Sequence, residues 1–168
     1  VGKRLLFLCI PVGLLSVFVL PQSIINRIQT IGSLTDSSNA WRITTWQITT
    51  DIIRDHWIAG VGFGYMPFKK TFETYIRTMP NFHAHNTYLE IAAELGITGI
   101  ILFIILIFVI YKYAIINSKE SKDKYIKVIT AGLLGGIASL MFQGLVEHVL
   151  FMPKIIITFW TMIGFILA

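Results

Sequence analysis

Hydrophobic and polar positions fall into two unlike patterns along the chain. Four stretches are almost continuously apolar. Leu5 to Leu20 carries no charge and can extend to Ile25 through Pro21 and Gln22. Ile97 to Ile116 is nearly all aliphatic and aromatic, with Lys112 near enough to the end to snorkel. Val128 to Val146 is rich in small side chains, and Gly132 and Gly136 within it make a GxxxG pair that permits close helix approach. Ile155 to Ala168 begins a fourth run. A helix crossing a bilayer needs about 20 apolar residues, a length the first three runs reach or approach. The pattern therefore predicts an all-α, polytopic transmembrane protein. The chain opens on Val1 and its last apolar run stops without a flank, which reads as a fragment of a larger membrane protein.

Between the first two runs the pattern changes. Ser37, Ser38 and Asn39 supply N-cap chemistry, and Trp41, Ile48 and Ile52 then recur near helical spacing, predicting a helix over about Ala40 to Trp57. Gly60, Gly62 and Gly64 stop it. A short helix is expected from Phe68 to Ile76, ended by Pro80, and a third element from His85–Asn86 through Leu95 to Gly96. The predicted organisation is a transmembrane helix at 1–25, an extracytoplasmic catalytic loop at 26–96, a transmembrane helix at 97–116, a cytoplasmic loop at 117–127, and transmembrane helices over 128–168, the last of them truncated.

Composition agrees: 55% of residues are hydrophobic and 14% charged, with a mean hydropathy of +0.72. Soluble domains carry roughly 25% charge. The net charge of +5 suggests an anionic partner only until it is divided by region. Two bases precede the first run, the segment from Pro21 to Gly96 balances six bases with six acids, and Tyr111 to Lys127 carries a net +3. Short basic loops stay cytoplasmic and long segments cross regardless of charge. The N-terminus and the 117–127 loop are therefore expected inside, and the long loop and the turn near His148 outside. The charge is an orientation signal, not a nucleic-acid footprint. The single cysteine, Cys9, excludes an internal disulfide. Lys3 and Arg4 precede an apolar stretch, but no small-residue cleavage site follows it, so a signal peptide is not indicated.

The long loop is where chemistry is expected. Gly60-Val61-Gly62-Phe63-Gly64 lacks the spacing and the lysine of a phosphate loop, and reads as a turn with close backbone approach. His83 and His85 form an HxH pair with no third ligand near in sequence, so no metal site is predicted. His56 reads as a histidine at a helix C-terminus. The segment His85-Asn86, nine residues, then Gly96-Ile97-Thr98-Gly99 places an imidazole at the outer start of a helix entering the membrane. Helix N-termini attract anions, which would face His85 toward an anion site; a capping histidine with packing glycines is the alternative. Glu147 and His148 sit at the outer end of the third run, and an ionisable residue at a span is a functional candidate.

With these residues in view, the sequence resembles the O-antigen ligase and O-antigen polymerase superfamily of bacterial membrane glycosyltransferases. His85, Asn86, Gly96 and Gly99 match its H-N-x9-G-x-x-G pattern. Asn39 to Trp46, Asp55 and Gly60 to Gly64 are similar to its arginine–tryptophan helix and glycine turn. The resemblance implies transfer of a glycan from a polyprenyl-diphosphate carrier to an acceptor hydroxyl of a glycan, lipid or protein, at the outer face of the bacterial cytoplasmic membrane, without metal or other cofactor. The chemistry of that transfer points to His85 as general base, Arg42 first and Arg77 second as cations on the diphosphate, and Asn86 as orienting His85 or a diphosphate oxygen, while Glu147 and His148 are candidate substrate contacts from their place at the end of a span. Guanidinium suits that work because its fork matches phosphate oxygens and stays charged. A transporter or flippase for the same lipid-linked glycans, or a non-enzymatic membrane protein of polysaccharide export, remains an alternative. The absence of charge from the centres of the complete runs argues against the transporter.

Overall fold

The computed structural model describes residues 21–25, 37–79 and 81–168. The first apolar run, Leu5 to Leu20, and with it Cys9, lies outside the described residues. The chain divides into two compact units, Val1–Trp41 and Arg42–Ala168; everything below concerns the second, apart from the start of the helix that crosses the boundary. Every regular element among the described residues is helical. Residues 22–25 are helical, and the numbered elements are α1 (Ser37–Asp55), α2 (Tyr65–Tyr75), α3 (Thr87–Glu120), α4 (Lys124–Gln143), one 3-10 turn (Val149–Phe151) and α5 (Pro153–Leu167).

Helix α1 tolerates its threonines because two of them bond backward: Thr49 Oγ1 donates to the Thr45 carbonyl at 2.7 Å and Thr50 Oγ1 to that of Trp46 at 2.8 Å. His56 Nδ1–H donates to the Ile52 carbonyl at 3.2 Å, the C-terminal role its position implies. Helix α2 presents Phe68 and Phe72, one turn apart, to a core completed by Ile52, Ala84 and Ala93. The Tyr75 hydroxyl donates to Asp55 and ties the ends of α1 and α2 together. Burial, then that bond, pushes the Tyr75 phenol up to about 12.

Helix α3 breaks at Gly96, whose φ of 67° and ψ of −165° are non-helical. The break is a backbone crossing. A Cβ on Gly96 would run into the Ile58 carbonyl, and one on Gly60 (φ 68°) into the Glu94 carbonyl. Ile97 N–H bonds Trp57 O at 2.8 Å, Val61 N–H bonds Ala93 O at 2.8 Å, and Gly62 N–H bonds Glu94 O at 3.0 Å. The glycine turn is thus a close backbone approach, as its spacing implies. At 34 residues α3 measures roughly 50 Å, well beyond an apolar bilayer core of about 30 Å. Residues 87–95, before the break, are the surplus.

Among the described residues, helices α3 and α4 are the two long and apolar enough to cross a membrane; α5 is a shorter apolar helix of 15 residues. They meet around Ile110, Ile137, Phe159 and Ile163. Tyr111 Oη donates to the Leu134 carbonyl at 2.7 Å and Tyr88 Oη to that of Met141 at 2.9 Å, pinning α3 to α4 at two levels. Of the GxxxG pair, Gly136 faces the Met162 sulfur on α5 while Gly132 meets nothing.

The ends of the apolar helices differ from the hydropathy reading. Helix α3 runs on through polar residues to Glu120, and α4 starts at Lys124 with Asp123 Oδ1 accepting Tyr125 N–H at 2.8 Å. The connection is therefore Ser121 to Asp123 alone, much shorter than the expected 117–127 loop. Hydropathy marks where apolar side chains end; lysine, glutamate and serine continue a helix beyond that point. At its other end α4 stops at Gln143, not Val146, because Gly144 to His148 turn back toward α3.

Candidate active site

The site is built where the segment before α3 meets the turn after α4. Asn86 caps α3: its Oδ1 accepts the N–H groups of Tyr88 and Leu89 at 2.9 and 3.0 Å, and its Nδ2 donates to the Leu145 carbonyl at 2.7 Å. Thr87 N–H bonds Gly144 O at 2.8 Å, while Thr87 Oγ1 donates to the Glu147 carbonyl at 3.0 Å and accepts Val149 N–H at 3.2 Å. Two adjacent residues, Asn86 and Thr87, thus fix together two segments that lie far apart in the sequence.

That framework sets Glu147 between an imidazole and a guanidinium. Its Oε1 accepts from His85 Nδ1 at 2.7 Å and from the His148 N–H at 3.1 Å. Its Oε2 lies 3.3 Å from Arg42 Nη2. Arg42 also donates through Nη1 to the Val146 carbonyl at 2.6 Å, so the guanidinium is fixed by the same turn that carries its carboxylate partner. Burial pulls the Glu147 carboxyl upward, but the His148 N–H, the His85 ring and the Arg42 charge outweigh it and hold the group below its ordinary range. The side chains of Arg42, Glu147 and His85 remain 35, 26 and 19% exposed, open enough to meet a substrate. His85 itself holds a left-handed backbone, φ 50°, unusual for a non-glycine residue and worth about 1–2 kcal/mol of strain. Such strain persists where surrounding contacts over-determine it.

Two further histidines back the site. The His83 ring lies 4.3 Å from that of His85 and 6.0 Å from that of His148, and both His83 and His148 pack on Phe151. Burial, then the neighbouring His85, lowers the His83 imidazole below its ordinary value. Burial, then His83, pushes His148 down to about 4. Both rings are therefore neutral near pH 7.

The sequence-derived candidates separate on this geometry. Arg42, His85, Asn86, Glu147 and His148 come together. Arg77 does not: it is exposed, and no hydrogen bond or ion pair among the described residues ties it to the cluster. Asn86 spends its side-chain oxygen on the helix cap and one N–H on Leu145, which fixes the residue next to His85. The expected anion site at the start of α3 is not available either. Thr87 N–H goes to Gly144, those of Tyr88 and Leu89 to Asn86 Oδ1, and that of Glu90 to the Asn86 carbonyl, so all four leading donors are taken.

The HxH pair does acquire a third partner. His83, His85 and Glu147 offer ligand atoms within 4.8 Å of one another, a donor set that a metal could use. Arg42 already compensates the Glu147 charge and opposes a cation beside it.

Sequence reasoning treated Glu90 and Glu94 only as charges. Their spacing of four residues, on a helix face that includes Ala93 and Thr87, was the available signal. Glu90 is buried and its carboxylate accepts the Ala84 N–H.

Among the described residues, two helices are long and apolar enough to cross a bilayer, and the His–Glu–Arg cluster lies where the segment before the first meets the turn after the second, an arrangement suited to an integral membrane protein. A family model described as O-antigen ligase matches residues 1–104, and the chain belongs to that family. The family is one of membrane glycosyltransferases of the ligase or polymerase type, acting in surface polysaccharide biosynthesis. No curated protein and no solved structure gives a significant match. The matched region takes in Arg42, Arg77, His83, His85 and Asn86 and ends before Glu147.

Proposed function

We propose that this protein transfers a glycan from a polyprenyl-diphosphate carrier to an acceptor hydroxyl at the outer face of the bacterial cytoplasmic membrane. The observation that carries the reading is Glu147 held between His85 Nδ1 at 2.7 Å and Arg42 at 3.3 Å. With Nδ1–H donated to Glu147, the imidazole lone pair resides on Nε2, the tautomer a general base needs. His85 takes the acceptor proton as the oxygen attacks the sugar C1. The C1–O bond to the diphosphate breaks, and Arg42 stabilises the negative charge that develops on the departing group. Its two bonds to Glu147 and Val146 use two of five N–H donors. Arg77, exposed on the same segment of chain, is a second phosphate contact in this scheme.

One displacement inverts the anomeric configuration. The scheme draws its charge stabilisation from guanidinium and needs no metal. Diphosphate recognition requires placed arginines, because the segment from Pro21 to Gly96 has no net charge.

His85→Ala is expected to lower transfer by about 10²–10⁴-fold, the span of general-base contributions. Arg42→Ala is expected to lower it by about 10²–10³-fold, as for loss of one preorganised charge-stabilising donor. The measurement is glycan transfer at matched protein levels, with the linkage configuration of the product determined by NMR. Undiminished transfer in both variants, or retained configuration, would overturn this mechanism.

A further inference from the structure

Two buried carboxyl groups lie directly behind His85, outside the reacting cluster. Glu90 is 1% exposed, and its carboxylate accepts the N–H of Ala84, the residue just before the histidine. Glu94, one helical turn further along α3, touches the Glu90 carboxyl in hydrogen-bond contact and accepts the Gly64 N–H. Two carboxyl groups this close cannot both ionise. One keeps its proton and donates it to the other, so the pair carries a single shared proton. Burying such a pair is costly unless its hydrogen bonds are satisfied, and here both backbone donors come from segments that must be held. One is the segment bearing the left-handed His85. The other is the glycine turn that crosses α3 at Gly96.

We propose that Glu90 is a positioning residue for His85, acting with Glu94 as a proton-sharing clamp that fixes the His83–Ala84 peptide, immediately before His85, against the glycine turn. Ala84 is fully buried, so the segment has no packing slack of its own, yet its backbone direction must deliver Nδ1 to Glu147. The Ala84 N–H bond supplies that direction. The Glu94 bond to Gly64 transmits the rigidity of the turn to it. The clamp rests on the general-base reading of His85 and acts on the rate of the chemical step rather than on donor binding.

The test compares variants of the whole protein, purified in detergent. The host's own lipid-linked glycan, extracted from membranes, serves as donor and an envelope extract as acceptor source. Glu90→Met fills the space but removes the acceptor. It is expected to lower kcat about 10²-fold, the cost of misplacing a reacting group by about 1 Å, and to leave the donor KM within about threefold. Glu90→Gln keeps an oxygen for Ala84 and gives an N–H to Glu94, and is expected to stay within about threefold of wild type in both constants. Unchanged kcat in folded Glu90→Met, equal inactivity of the Gln and Met variants, or a KM effect matching that on kcat would overturn the clamp. Should Glu90→Met not fold, Glu94→Met removes the proton-sharing partner and the tie to Gly64 while leaving Glu90 on the Ala84 N–H, and is expected to lower kcat about tenfold; unchanged kcat there overturns the clamp equally. His85→Ala, run in parallel, separates the two ideas. Full activity in that variant defeats the general-base reading itself, whereas loss there with unimpaired Glu90→Met defeats only the clamp.

Discussion

The polar end of the molecule and its apolar helices are held together by opposite means. At the polar end, Asn86, Thr87, Glu90 and Glu147 each bond to backbone or side chains outside their own turn of helix, and glycines let main chains touch. Between the apolar helices, a few aliphatic and aromatic side chains interlock, and two tyrosine hydroxyls supply the long-range polar ties. A lipid-facing helix gains little from apolar burial, because lipid is as apolar as its neighbour, so shape alone sets the packing there. A reaction site at the bilayer surface must instead fix charged groups that water would otherwise scatter. The difference teaches that the two ends should respond differently to the same substitution.

The largest expected effect is at the backbone crossing. Gly96→Ala sets a Cβ against the Ile58 carbonyl on a left-handed backbone, and main chain cannot move aside as a side chain can. Overpacking costs about 1–3 kcal/mol and the left-handed conformation about 1–2 more. A loss of about 3 kcal/mol is expected in thermal unfolding in detergent, with transfer abolished. Stability near wild type would show that the crossing is looser than its hydrogen bonds imply.

A smaller effect is expected from pH. His148 is lowered by burial to about 4 from its ordinary 6.5. Below pH 6.5 the unfolded chain takes up a proton that the folded chain refuses until about pH 4, so stability rises with pH across that window and is lost as pH falls through it. Glu147 acts in the same direction further down. Its folded value is depressed, so its contribution is complete above the ordinary carboxylate range and disappears as pH falls through the lower folded value. The buried Glu90 carboxyl, pushed up to about 8, acts in the opposite sense in both proteins, so the His148 contribution is read as a difference: from pH 6.5 to 4 the melting temperature of wild type should drop relative to that of His148→Gln. Equal slopes would remove His148 from the account.

The smallest effect belongs to the apolar end. Gly132→Ala adds a methyl group where nothing lies within 4 Å and should change stability by no more than about 0.5 kcal/mol. A large loss there would mean that Gly132 packs against a partner and that this face is not idle.

Legibility in the sequence follows the same division. Helices α3 and α4 are readable because a run of about 20 apolar residues announces itself whatever surrounds it, while their helical ends are not, because polar helix formers extend a helix past its apolar run. His85 and Asn86 were readable as a pair at a helix start. The closure of that helix start was not, because the Thr87 donor is satisfied by Gly144, on the far side of two long helices in the sequence. Arg42 and Glu147 were each singled out, but not as partners, because 105 positions separate them. Glu90 and Glu94 were missed because charge counting assumes solvent, and only the fold shows that Glu90 has none.

The central claim is that His85, Glu147 and Arg42 work as one unit, and a double-mutant cycle on transfer rate tests it most directly. His85→Ala, Glu147→Ala and the double variant would be compared at matched expression. If Glu147 acts through His85, the double variant should be about as impaired as His85→Ala alone, so that the two losses fail to multiply. Losses that multiply would contradict the account and leave Glu147 acting on something other than the histidine.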